Sequence, residues 1–91
     1  MNGQQIERRV LDIFLGIAAD VDEATLKRDV PFRAQFDFDS MDTLNFALGL
    51  HQEFGIDVPE TDYRELASLT SAVAYVTGQL AAKQAASAAS R

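Results

Sequence analysis

Cysteine is absent from these 91 residues, so disulfides and any thiol chemistry from the chain itself are excluded. Histidine occurs once, at His51, and glycine only at the scattered positions 3, 16, 49, 55 and 78, which leaves no glycine-rich loop to cradle a phosphate. No apolar run approaches the ~20 residues of a membrane span, so insertion into a bilayer is not expected. The first ten residues, MNGQQIERRV, lack the apolar core of a secretion signal, and the expected location is the cytoplasm. No convincing strand pattern appears along the chain. With 47% hydrophobic residues and this length, one small domain over 1–91 is expected, with a modest core and no separate catalytic domain.

Bases are scarce where acids are dense. Residues 37–65 hold Asp37, Asp39, Asp42, Glu53, Asp57, Glu60, Asp62 and Glu65 against Arg64 alone, while residues 1–36 are nearly balanced. Such a field repels nucleic acid and anionic lipid and favours protein partners with basic surfaces.

What is present is helical period. Ile6, Val10, Ile13, Phe14 and Ile17 recur at spacings of three and four and predict a first helix over about 4–18. Residues 19–39 contain Val30-Pro31 and the anchors Val21, Leu26, Phe32 and Phe36 without a sustained period, so they predict a long, partly ordered connection. A second helix follows over 40–54, with Asp39 or Ser40 as its N-cap and Asp42 against the positive end of its dipole. Gly55 ends it, and Ile56 to Pro59 make an extended link. A brief third helix over 60–66 and a fourth over 69–82, capped by Ser68 or Thr70, complete the pattern. The alanine-rich segment 83–91 has little to bury and is expected to fray.

At about 100° per residue, Thr43, Phe46, Ala47, Leu50 and Phe54 form one continuous stripe on the second helix, the side that must face a core. Met41, Leu44, Asn45, Leu48 and Gln52 fall on the opposite side. An apolar outer stripe that begins one residue after Ser40 has the character of a docking face for partner proteins.

Self-contained chemistry fails on spacing. His51 lies eleven residues beyond Ser40, about 16 Å along one helix, so the two cannot form a nucleophile–base pair. Asp37, Asp39 and Asp42 faintly resemble a calcium loop, but Met41 and Asp42 occupy positions that need a ligand and a glycine, and no metal is expected.

What remains is a serine acted on by other enzymes. Asp39-Ser40-Met41-Asp42-Thr43-Leu44, then Leu50, Glu53-Phe54, Ile56-Asp57-Val58-Pro59, and Leu66, Leu69, Ala72, Val73, Tyr75 and Val76 together resemble an acyl carrier protein over almost the whole chain. Leu15-Gly16-Ile17 and Phe32 match the same pattern. The resemblance implies an all-α four-helix bundle with a long loop between its first two helices and a short third helix. It also implies that Ser40, flanked by Asp39, carries 4′-phosphopantetheine through a phosphodiester, added from coenzyme A by a phosphopantetheinyl transferase. The working thiol then belongs to the arm, which fits a chain without cysteine, and the carrier is a substrate of enzymes rather than one itself. Its implied partners are an acyl or aminoacyl ligase and acyl-transferring or condensing enzymes, met as a monomer.

This chain departs from the family pattern at Asp37, where glycine is usual, at Phe38, where a small residue is frequent, and at Met41, where leucine is usual. Asn45, His51 and Gln52 stand at positions that resemble glutamates in carriers of housekeeping fatty acid synthesis. These differences point to a specialised carrier of a dedicated fatty acid, lipid or secondary-metabolite pathway. An aminoacyl or peptidyl carrier loaded by an adenylating ligase, and an unmodified interaction module on the same fold, are the alternatives.

Overall fold

The computed structural model describes the backbone of residues 2–89 and side chains through residue 85. Its first helix, α1 (Gly3–Ile17), starts from a reciprocal cap: Asn2 Oδ1 accepts from the Gln5 N–H at 2.9 Å, and the Gln5 side chain accepts from the Asn2 N–H at 2.9 Å. Ile6, Val10, Leu11 and Phe14 are buried, whereas Ile13 and Ile17 pack at the margin. The apolar stripe is therefore rotated slightly toward Leu11, which lies three residues before Phe14.

The segment after α1 contains two short helical pieces. A 3-10 turn, Glu23–Thr25, is capped by Asp22, whose carboxylate accepts from the Ala24 N–H at 3.0 Å. A single helical turn, α2 (Phe32–Gln35), follows Pro31. The Gln35 amide closes this connection on itself, accepting from the Lys27 N–H and donating to the carbonyls of Lys27 and Val30, each at 2.8 Å. The Phe32 N–H donates to the Ala67 carbonyl at 2.7 Å, and the Thr70 N–H to the Arg28 carbonyl at 3.0 Å, which tie the connection to the start of the last helix.

This connection supplies much of the core. Phe32 is fully buried and stacks on Phe14 with ring centroids 4.1 Å apart. Phe38, which no sequence period marks, is also buried, 5.2 Å from Phe32 and 5.5 Å from Phe14. Val21, Leu26 and Phe36 are half-buried against the same cluster.

The long helix α3 (Ser40–Phe54) buries Phe46, Ala47, Leu50 and Phe54 and leaves Met41 61% and Leu48 50% exposed. It crosses α1 closely at Gly49, where a Cβ would stand 2.6 Å from Ile13 Cγ2. Gly55 ends it in the left-handed region, at φ 66°, with its N–H bonded to the His51 carbonyl at 2.9 Å. A 3-10 helix, Glu60–Leu66, packs against α3 and α4 and buries Leu66.

The last helix, α4 (Leu69–Ala89), begins at Ser68, whose hydroxyl accepts from the Ser71 N–H at 3.2 Å. Thr70 has another role, its hydroxyl lying 2.5 Å from Asp29. Sequence period ends this helix at 82 and predicts fraying over 83–91. The helix instead continues to Ala89; residues 90 and 91 lie outside the described residues. Two physical reasons oppose early termination: alanine has the highest helix propensity, and Lys83 Nζ donates to the Gly55 carbonyl at 3.0 Å, tying the extension to the end of α3.

α1 packs on both α3 and α4, giving the all-α bundle with a short third element. Ion pairs stitch its outside: Arg8 to Asp12 and Glu23, Arg9 to Glu53, and Arg28 to Glu7. The Arg8 hydrogen bonds hold the Glu23 carboxyl below its ordinary range, but all these partners are exposed and contribute little individually.

Candidate functional site

The start of α3 is organised by two aspartates. Asp39 has extended backbone, and its Oδ1 accepts from the Asp42 N–H at 3.0 Å; Asp42 Oδ2 in turn accepts from the Asp39 N–H at 3.1 Å. The Thr43 N–H completes the first turn on the Asp39 carbonyl at 3.1 Å, and the Thr43 hydroxyl joins it at 3.2 Å. Ser40 is the first helical residue, exposed, between two carboxylates that are already occupied with backbone donors.

Two hollows meet at Ser40. The larger, about 730 Å³, runs between the first turns of α3 and the 3-10 helix, lined by Phe38, Leu44, Tyr63, Arg64 and Leu66. The smaller, about 550 Å³, lies between Phe36, Asp37 and Asp39. Arg33, Phe38 and Ser40 border both. Tyr75 braces the wall from behind: its hydroxyl donates to Asp62 Oδ2 at 2.8 Å and joins the 3-10 helix to α4. Burial, then that hydrogen bond, push the Tyr75 hydroxyl up to about 12.

The structure brings some candidate residues together and separates others. Asp39, Ser40 and Met41 share the exposed start of α3, and Asn45, Leu48 and Gln52 continue along its outer side. Leu44 is half-buried and turns into the larger hollow. His51 is held at the opposite end of the helix, its Nδ1 2.8 Å from the Ile56 carbonyl and 3.6 Å from Asp57. Among the described residues no group of three or more His, Cys, Asp or Glu side chains is placed to hold a metal ion. Arg33, Phe38 and Tyr63 at the hollows escape sequence patterns, because the folding of an aperiodic connection brings the first two there. The one available signal is that Arg33 is the sole lysine or arginine between Asp29 and Tyr63.

An exposed serine at a capped helix start, without a base and beside an apolar hollow, is suited to receive a group rather than to catalyse. A family model described as phosphopantetheine attachment site matches residues 8–76. The chain belongs to this family. Its prosthetic group is a covalently attached 4′-phosphopantetheine, and the protein is a carrier that other enzymes modify and acyl-handling enzymes meet. The residues present fit that group: the Ser40 side chain is exposed, and the hollows beside it leave room for an arm. When bound, the group supplies a thiol that this cysteine-free chain lacks. No described helix is long and apolar enough to cross a membrane.

Proposed function

We propose that Ser40 is the attachment point, that the arm carries acyl groups as thioesters, and that the chain is a specialised acyl carrier of a dedicated fatty acid, lipid or secondary-metabolite pathway. The observation that carries this is the placement of Ser40 as the exposed first residue of α3, framed by the Asp39–Asp42 capping pair. In the modification, Ser40 Oγ bonds to the pantetheine-side phosphorus of coenzyme A, the pyrophosphate link breaks and adenosine 3′,5′-bisphosphate leaves. The serine proton leaves to a base of the phosphopantetheinyl transferase. The chain contributes only a rigid, accessible oxygen and is itself a substrate, acting as a monomer in the cytoplasm.

The apolar lining of the larger hollow, with Phe38, Leu44 and Leu66, favours an acyl cargo over an aminoacyl or peptidyl one. Met41, Leu44, Asn45, Leu48 and Gln52 form the docking face for the transferase, a loading ligase and condensing enzymes. The exposure of Met41 and Leu48 on one side of α3 supports this assignment. The test is intact mass after incubation with coenzyme A and a broad-specificity transferase. Wild type should gain one arm and Ser40→Ala none; an arm on the alanine variant would place the attachment elsewhere.

A further inference from the structure

Three arginines of this chain are committed: Arg8 to Asp12 and Glu23, Arg9 to Glu53, and Arg28 to Glu7. Arg33 has no ion pair among the described residues, and it borders both hollows that Ser40 borders. Its own anchoring is firm. Phe32, one residue before it, is fully buried on Phe14, and Gln35, two residues after it, is bonded to the backbone of Lys27 and Val30. α2 is therefore fixed from behind while Arg33 stays exposed at the junction of the hollows.

Charge makes this placement specific. A phosphodiester on Ser40 would put a permanent negative charge among Asp37, Asp39 and Asp42, and α3 itself contains no lysine or arginine to offset it. Arg64 reaches only the larger hollow, whereas Arg33 reaches both. A guanidinium presents its donors in a planar fork that matches two phosphate oxygens at once. We propose that Arg33 binds the phosphodiester joining the arm to Ser40, and so sets the direction in which the arm leaves the helix. Arg33 is a positioning residue in this role, and the proposal rests on Ser40 being the attachment point.

The experiment separates the two. Wild type, Arg33→Gln, Arg33→Lys and Arg64→Gln are converted to the holo form with coenzyme A and a transferase, and intact mass with peptide mapping establishes the arm and its residue. An arm on another residue ends the Ser40 assignment and this proposal with it. On holo proteins carrying the arm at Ser40, the phosphorus NMR resonance and the Arg33 Nε–H resonance are then followed from low salt to about one molar salt, where screening is nearly complete. In wild type the Arg33 Nε–H signal should shift between apo and holo forms, and the phosphorus signal should move with salt. Arg33→Gln should show a phosphorus signal that is insensitive to salt and close to that of the same holo protein unfolded in urea, Arg33→Lys an intermediate one, and Arg64→Gln the wild-type behaviour. The direct Arg33 signal needs no variant, so a folding defect in Arg33→Gln leaves the test intact. Identical Arg33 Nε–H signals in apo and holo wild type would overturn the proposal. So would a phosphorus signal that responds to Arg64→Gln and not to Arg33→Gln.

Discussion

Asp39 and Asp42 each accept a hydrogen bond from the other's backbone N–H, at 3.0 and 3.1 Å, and the residue after Asp39 is the exposed Ser40. Rigidity at the helix start therefore comes from the neighbours of the serine rather than from the serine itself. Ser40→Ala should leave the melting temperature almost unchanged. Asp39→Ala should cost ~1 kcal/mol, the usual loss for an N-cap carboxylate, read from denaturant unfolding at constant slope. Equal losses for the two variants would mean that Ser40 takes part in the cap.

Phe32 lies outside every long helix and yet is fully buried between Phe14, Phe38 and Phe46. Phe32→Ala should destabilise by about 3–5 kcal/mol, a large part of the total for a domain of this size. A surface-loop phenylalanine would lose far less, so urea titration distinguishes a core-forming connection from a draped one.

The parts of this fold visible in the sequence are the periodic ones. Phe46, Ala47, Leu50 and Phe54 repeat at helical spacing, and their burial follows from that spacing once a partner surface exists. Capping by Asp39 is equally local, since it needs only a carboxylate three residues before a backbone donor. Phe38 and Arg33 are different. Their surroundings include α1 and the 3-10 helix Glu60–Leu66, distant in sequence, and no local period records them. The Lys83–Gly55 contact along the extension of α4 is again between remote positions.

Leu48, half exposed on the outer side of α3, touches solvent rather than core. Leu48→Glu should change stability by no more than about 0.5 kcal/mol, as most surface substitutions do. Arm transfer by a phosphopantetheinyl transferase should nevertheless fall at least tenfold in kcat/KM, because an apolar anchor at the centre of a small interface contributes ~2 kcal/mol or more. Unfolding of this variant would place Leu48 in the core, and unchanged transfer would move the docking face elsewhere.

Tyr75 gives a pH signature. Its hydroxyl donates to Asp62, and its folded-state value is pushed up to about 12, burial being the larger cause. Raised above the ordinary tyrosine value of about 10, the group adds stability that is fully present below pH 10 and is lost as pH rises toward 12. The stability difference between wild type and Tyr75→Phe should hold steady from neutral pH to about 10 and then close. A difference that is flat through this range would show that the Asp62 contact does not favour the protonated hydroxyl.

Gly49 gives the outer side of α3 an unyielding back. No side chain separates α3 from Ile13 at that point, since even a methyl group would come within 2.6 Å of it, so the two helices meet with almost no slack. An enzyme that presses on Leu48, the adjacent residue, pushes against backbone seated directly on the Ile13 side chain, with no second side chain between them to give way. Recognition on this side must then select by fixed shape. A partner whose groove is a poor match gains nothing from waiting for the carrier to adapt, and discrimination among many similar carriers becomes a matter of contour.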